Sequence, residues 1–443
     1  MNSLIKEIKD SIGENDDLLF TEQQLKDLSV VLFGLNSLID LGPTIKQLEQ
    51  LGQKNYSNKE KQKQISQLGE IKRNAGEITS LLLDGKLMIA PSPNADFVVS
   101  VDPVPVKLNR AIDQITNENT MLGPFVSFNE DSLTNIGVMR KHVVSEKIRV
   151  KHFLTGTHNK KELSLIYYEG IVEENLLQTV LKDIKRNSIN DLHSIQDVTK
   201  MLGITPYSIV PRVKTTEMPS EAAQSLLNGK VILFLDGLPF ALILPSVFAD
   251  MFFLESDKNL TYPLMVSLRS LRIAGTLIAL IFPGLYVALV AVNPEVLRLE
   301  LALSIAQSRE GVPYPAFIEI IIMLVVLELI MEASVRLPKS IGPTITMVGG
   351  IILGQAAVEA QLVSNLLVIV LAATTIANST VVGVQNLLSI RLLKYIVLIF
   401  SSVFGVLGIL AGVFFICAYL AGVSSLGVPY LNFKQSKGDG SHG

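Results

Sequence analysis

The stretch IAGTLIALIFPGLYVALVAV (Ile273–Val292) decides how the rest of the chain is read. It runs for 20 residues without a charged side chain. A helix needs about 20 apolar residues to cross the ~30 Å hydrocarbon core of a bilayer. Working outward, further apolar runs follow with little between them: Ala316–Ser334, Ile341–Val358, Val363–Val384 and Tyr395–Gly422. In lipid every backbone polar group must be satisfied within the protein, which helices of this length achieve. The expectation is a polytopic α-helical transmembrane domain of about five spans over residues 256–424, with Pro283 and Gly284 kinking the first.

The remainder of the 443 residues is of another kind. A mean hydropathy of +0.41 averages two unlike halves. Up to about Lys230 the chain is rich in Lys, Glu, Asp, Asn and Gln, and after it the chain turns apolar. The net charge of −3 gives no basic footprint for nucleic acid. A single cysteine, Cys417, excludes an intrachain disulfide and a multi-cysteine metal site. The first residues, MNSLIKEIKDSIGENDD, contain no apolar segment of signal-peptide type, so the soluble half is expected not to be exported.

Residues 1–20 are sparse in apolar side chains and read as a flexible lead-in. Leu28–Leu51 reads as a buried strand followed by an amphipathic helix, and the charged Asn55–Gln64 as a solvated helix start or loop. Ile78–Pro103 gives a helix end and two strands separated by a turn. The same order recurs. Glu162–Ile184 is again strand then helix, and SLLNGKVILFLDGLPFALILP (Ser225–Pro245) aligns with SLLLDGKLMIAPSPNADFVVS (Ser80–Ser100), at an offset of about 135 to 145 residues. We read an internal duplication of one α/β unit, residues 21–125 and 126–255, with a tail at 425–443. Asp236-Gly237 between two short apolar runs marks a hairpin, because the aspartate would otherwise sit in mid-bilayer. Ser246–Pro263 has the spacing of an amphipathic helix lying on the membrane surface.

No catalytic pattern is present. The histidines His142, His152, His158, His193 and His442 form no metal-ligand spacing. Phosphate-cradling glycine loops and nucleophile elbows are missing too. The carboxylates of the soluble half sit singly on helix faces, as solvated surface does. The sequence is therefore read as that of a protein that is not an enzyme, without metal or cofactor.

In the apolar half, Glu328, Glu332 and Arg336 share one helix face at i, i+4 and i+8. Ionised groups in hydrocarbon are costly, so that face must meet protein or water. Glu328 and Glu332 are either gating groups on an ion path or structural charges that orient helices. Gly350 and Gly354, and again Gly408 and Gly412, form GxxxG pairs suited to close helix packing. Thr374, Thr375, Asn378, Ser379 and Thr380 cluster at the end of the fourth run. They suit either a water-lined pore wall or hydrogen bonding within the protein. Asn293–Pro315 is too charged to span and reads as an interfacial helix ending near Ser308. The short turn Glu359–Gln361 makes the third and fourth runs a helical hairpin. Arg269, Arg272, Arg336, Lys339, Arg391 and Lys394 all flank runs on one side, which places the soluble half in the cytoplasm. Five spans would put the tail, with Lys434 and Lys437, on the other side.

Several blocks carry a family resemblance: DGLPFALILP (Asp236–Pro245), LRSLRIAGTLIALIFPGLYVAL (Leu268–Leu289), ELALSIAQSREGVPYPAFIE (Glu300–Glu319), RLPKSIGPTITMVGGIILGQAAVEAQLVS (Arg336–Ser364) and LGVPYL (Leu426–Leu431). In this order they resemble the A subunit of the GerA-type spore germination receptors, over roughly Gly123 to Leu431. GPFVSFNEDSLTNIGVMRKHV (Gly123–Val143) is similar to the segment joining that family's two N-terminal subdomains. The first subdomain is divergent, and the tail KQSKGDGSHG is short. The resemblance implies a protein of the spore inner membrane, embedded in lipid, that works with B and C receptor subunits. It implies self-association into a ligand-gated channel for monovalent cations, opened by nutrient. A non-conducting membrane scaffold and a secondary transporter are the other readings compatible with the residues.

Overall fold

The computed structural model describes residues 3–25, 28–51, 68–91, 96–106, 126–338 and 342–432. Asn55–Gln64, Lys339, and the tail with Lys434, Lys437 and His442 lie outside them.

The chain begins with helix α1 (Ser3–Ile12), then β1 (Leu18–Leu25), β2 (Leu28–Leu35), α2 (Leu41–Leu51), β3 (Glu70–Lys72), α3 (Ala75–Leu83), β4 (Leu87–Ala90) and β5 (Val98–Val101). The strands form one antiparallel sheet in the order β1-β2-β4-β5-β3. Side chains alternate along a strand, so Val31 and Phe33 face one way and Val30 and Leu32 the other. Helices α1 and α3 cover the first face with Ile5, Ile8, Ile78 and Leu82, and α2 covers the second with Leu48. Burial on both faces explains why Leu28–Leu35 reads as a nearly continuous apolar run. The lead-in expected to be loose is largely this first helix. Leu4, Ile5, Ile8 and Ile12 recur at helical spacing, and all four are buried.

A second unit follows: α4 (Ser132–His142), β6 (Ile148–Thr155), β7 (Lys161–Tyr168), α5 (Glu174–Arg186), α6 (Ile195–Met201), β8 (Lys214–Thr216), α7 (Pro219–Leu227), β9 (Val231–Leu235) and β10 (Ala241–Leu244). Its antiparallel sheet has the order β6-β7-β9-β10-β8, the same succession as the first. Helices α5 and α6 close one face and α4 and α7 the other. Strands β9 and β10 form the hairpin marked by Asp236-Gly237, with Gly237 at φ 86° as the turn requires. The units are joined at the loop after α1. Asp16 N–H donates to Val150 O at 3.0 Å, Asn15 Nδ2 to Ile148 O at 2.9 Å, and Arg140 Nε to Asp17 Oδ2 at 2.6 Å.

The surface helix expected over Ser246–Pro263 is instead two short 3-10 turns, Phe248–Met251 and Glu255–Asn259. Met251 and Phe252 turn inward, and their burial against the helical half outweighs the amphipathic spacing.

That half comprises α8 (Tyr262–Val287), α9 (Leu299–Ser308), α10 (Ala316–Arg336), α11 (Gly342–Glu359), α12 (Asn365–Asn378) and α13 (Val384–Gly422). Helix α8 ends in a π turn, where Asn293 N–H reaches Ala288 O at 2.7 Å. Among the described residues, two helical stretches are long and apolar enough to cross a membrane: Tyr262–Val292 and Val384–Gly422, with mean hydropathies of 2.3 and 2.6. Helix α12, apolar but 14 residues long, is shorter, and α10 carries Glu319, Glu328 and Glu332. Helix α9 ends at Ser308, with none of its residues buried. Helix α11 lies along α10 rather than pairing closely with α12.

The last apolar run is not one rod. Gly405 adopts φ 61°, ψ −134°, a conformation reserved for glycine, and the chain reverses there. Residues beyond the glycine pack against those before it in reverse order: Gly408 against Phe400, Gly412 against Val397, and Phe415 stacked on Phe400 with centroids 5.0 Å apart. Asn293 Oδ1 accepts the Val406 N–H at 3.1 Å, capping the returning arm. Both arms end at the second sheet unit, where Ser389 Oγ donates to Ile209 O and Ile209 N–H donates to Tyr419 Oη, each at 2.8 Å. The chain then returns fully. Tyr430 O accepts the Phe248 N–H at 2.9 Å, and Ser425 Oγ donates to Arg212 O at 2.8 Å. Reversal at Gly405 thus brings Tyr430 back beside the soluble half, and the tail with Lys434 and Lys437 lies outside the described residues.

Candidate functional site

Between α8, α10, α12 and α13 lies a small pocket of about 20 Å³, room for about one water. Ala279, Leu324 and Leu327 form its apolar wall, and its polar lining comes from three helices. Helix α10 supplies Glu328, α12 supplies Thr374, Thr375 and Asn378, and α13 supplies Arg391 and Lys394. Thr374 and Asn378 are spaced i, i+4, Thr375 and Asn378 i, i+3, and Arg391 and Lys394 i, i+3, so helical geometry turns each set to one face.

Glu328 accepts from Lys394 Nζ at 2.9 Å and from Arg391 Nη1 at 3.4 Å. The side chains of Lys394 and Arg391 are only 9% and 13% exposed, so both cations are largely withdrawn from water. Arg391 Nη2 meets the Met331 thioether at 3.2 Å, a weak acceptor. Thr374 and Thr375 donate their hydroxyls to Val370 O and Leu371 O, one turn back on their own helix. Asn378 is buried, and its Oδ1 has no hydrogen-bond partner among the described residues.

The structure thus brings Glu328, Thr374, Thr375 and Asn378 together. It does not add the others. Glu332 lies on the exposed side of α10, paired with Arg336 at 2.6 Å. Ser379 is exposed and donates to Thr375 O, and Thr380 donates to Ala377 O beside Gly275. Of the glycines, Gly408 and Gly412 are buried at the turn-back of α13. Gly350 is exposed, and a β-carbon added to it would meet no atom within 4 Å; one on Gly354 would meet only Val368, at 3.9 Å.

Arg391 and Lys394 read from sequence as flanking charges, yet they are the partners of Glu328. The available signal was Glu328 itself, since a carboxylate among apolar residues requires a nearby cation. A second cluster was also missed. Glu319, fully buried, accepts from Ser364 N–H at 2.6 Å and Tyr286 Oη at 3.1 Å, with Arg309 Nη2 at 3.4 Å. It ties α10 to α8 and α12 at the end of the bundle away from the sheets.

The sheets are coupled to the bundle by Asp257, whose carboxylate takes two hydrogen bonds from Arg272 at 2.6 and 2.8 Å. Burial opposes its charge, but the Arg272 hydrogen bonds and charge outweigh burial and hold its carboxyl below the usual carboxylate range. Nearby, Lys230 Nζ lies 2.7 Å from both Asp250 oxygens, and burial holds the ammonium below its ordinary value.

Comparison with known proteins gives the following. Spore germination protein B1 of Bacillus subtilis (strain 168) is 34% identical over 322 residues, covering 73% of this chain and 67% of that protein. Spore germination protein GerLA of Bacillus cereus is 34% identical over 324 residues, covering 72% of this chain and 65% of that protein. The chain thus matches about two thirds of the length of these relatives. Among solved structures, the N-terminal domain of the A subunit of the Bacillus megaterium spore germinant receptor GerK3 aligns over 55% of this chain and 94% of that one, at 20% identity and a TM-score of 0.39. The family described as Bacillus/Clostridium GerA spore germination protein matches residues 6–437. That match takes in both sheets, every helix around the pocket and the returning arm, and the chain belongs to the GerA spore germination protein family.

Proposed function

We propose that this chain is the A subunit of a nutrient-responsive spore germination receptor in the spore inner membrane, with its N-terminal half on the core side. In this reading it assembles with further copies of itself and with B and C subunits into a ligand-gated channel for monovalent cations. In this reading the helical half crosses the membrane about five times or more, and the return of Tyr430 to the sheets supports an even number of crossings. The matching sheet orders support one duplicated unit over 21–125 and 126–255. A helical domain over 256–424 and a tail over 425–443 complete this reading.

The observation that supports a responsive role is the polar pocket inside helices tied to the second sheet at Ile209 and Asp257. A partner that shifts the sheet unit moves α8 and both ends of α13 together. A second reading, a non-conducting signalling scaffold, is favoured by Thr374 and Thr375 spending their hydroxyls on their own helix.

The deciding experiment is cation efflux from liposomes carrying the chain with its B and C partners, with and without nutrient. Nutrient-dependent efflux that falls at least tenfold in Asn378→Leu supports the channel. Correct assembly without efflux leaves the scaffold.

A further inference from the structure

Resting on the channel reading proposed above, we infer that Arg391 and Lys394 are its closed gate: two tethered cations that occupy the cation path at Asn378 and shut it in this conformation. The pocket, at about 20 Å³, has room for about one water, too little for a hydrated ion to pass. What fills it is charge. Its lining holds two cations against one carboxylate, Glu328. The Lys394 and Arg391 side chains are 9% and 13% exposed, so water screens the surplus positive charge only weakly. Glu332 does not offset it, since it pairs with Arg336 on the exposed side of α10. Nor does Glu319, held by Arg309, Tyr286 and Ser364. A free cation arriving beside Asn378 meets a net repulsion.

The gate is placed where the soluble half can move it. Glu328 is held by Lys394 Nζ at 2.9 Å and by Arg391 Nη1 at 3.4 Å, so either cation alone neutralises it and the other is surplus. A surplus, largely buried cation is costly, and holding α10 to α13 does not require it. Both cations sit on α13, two and five residues beyond Ser389, which donates to Ile209 O of the second sheet unit at 2.8 Å. Five helical residues span only about 7.5 Å. Glu328, by contrast, belongs to α10. A shift of the sheet unit therefore carries both cations with α13 and changes their separation from Glu328. Their withdrawal leaves Glu328 and Asn378 Oδ1 facing the path, oxygen atoms of the kind that line cation-selective pores. Closed, the pocket repels cations; with Arg391 and Lys394 removed, it favours them.

The test is leak without nutrient. Liposomes carrying the full chain with its B and C partners are loaded with potassium chloride. Potassium and chloride release are followed separately, before and after a mixture of amino acids and sugars is added. Lys394→Met and Arg391→Gln each leave one cation on Glu328, so each variant keeps an ion pair between α10 and α13. Each is expected to raise potassium release before nutrient on the order of tenfold over wild type, with chloride retained. Lys394→Arg keeps the charge and should leak on the order of tenfold less than Lys394→Met, a rescue that lost packing alone does not explain. A quiet wild type beside leaking, cation-selective variants supports the gate. Wild-type release on nutrient, with both neutralised variants quiet beforehand, overturns the gate and leaves the channel standing. Chloride escaping together with potassium also overturns it, since that marks a defect in the bilayer. Silence from wild type and every variant, before and after nutrient, overturns the channel reading and the gate with it.

Discussion

Gly412 lies against Val397 so closely that a β-carbon on the glycine would stand 2.9 Å from the valine Cα. The two arms of α13 touch backbone to backbone, and no larger residue fits between them. Gly412→Leu should cost about 1–3 kcal/mol through overpacking. The same change at Gly350, which faces open space, should stay within about 0.5 kcal/mol. Thermal unfolding of the two variants side by side checks the difference; equal losses would contradict the packed turn-back.

The Asp17–Arg140 pair is buried on both sides, with side chains 0% and 3% exposed. Arg140→Met leaves Asp17 charged and unpaired, although Ser37 still donates to it through N–H and Oγ at 2.8 Å each. The expected loss is about 3–5 kcal/mol, with Asp17→Leu/Arg140→Met recovering part of it. Hydrogen exchange should show the loss first in β1 and β2, beside the joint.

Asp257 should give the sheet–bundle coupling an acid limit. Its folded carboxyl titrates below the unfolded one. Its contribution is therefore fully present above the unfolded pKa of about 3.9 and is lost as pH falls through the lower folded value. Asp257→Asn should remove this acid dependence while lowering stability at neutral pH. Melting curves from pH 7 down to pH 3 read both effects, and parallel curves for wild type and variant would remove Asp257 from the coupling.

Tyr430 presents a separate contrast. Its ring is fully buried against Phe248, but its hydroxyl has no partner among the described residues. Burial without a partner pushes the phenol well above its ordinary value. Tyr430→Phe should be neutral or stabilising, since an unsatisfied hydroxyl is removed. Tyr430→Ala should cost about 3–5 kcal/mol through the cavity left behind. The melting temperatures of the two variants should move in different directions or by very different amounts.

Local chemistry made much of this architecture readable in advance. The hairpin at Asp236-Gly237 and the strand–helix passages of Leu28–Leu51 and Glu162–Ile184 follow from turn residues and period, and the structure contains them. The first helix was hidden because Lys6, Glu7, Lys9 and Asp10 dilute its apolar spacing. The reversal at Gly405 was hidden for another reason. Gly405, Gly408 and Gly412 look alike in sequence, and only the Asn293 side chain, more than a hundred residues earlier, marks which one turns. The pocket was half readable. Asn378 and Glu328 stand out as polar residues in apolar runs, whereas Arg391 and Lys394 join them only through the packing of α13 on α10.

The return of Tyr430 to Phe248 also fixes an order of events in the life of the chain. The two residues are 182 positions apart, and the whole helical half lies between them. The latch can close only after the last arm has been synthesised and has folded back at Gly405. Long-range contacts of this kind are the slow ones to form, because the intervening chain must be ordered first. A chain interrupted before Tyr430 would keep both sheets yet leave Phe248 and its neighbours uncovered. Closure at this point thus marks that the helical half has been both made and folded.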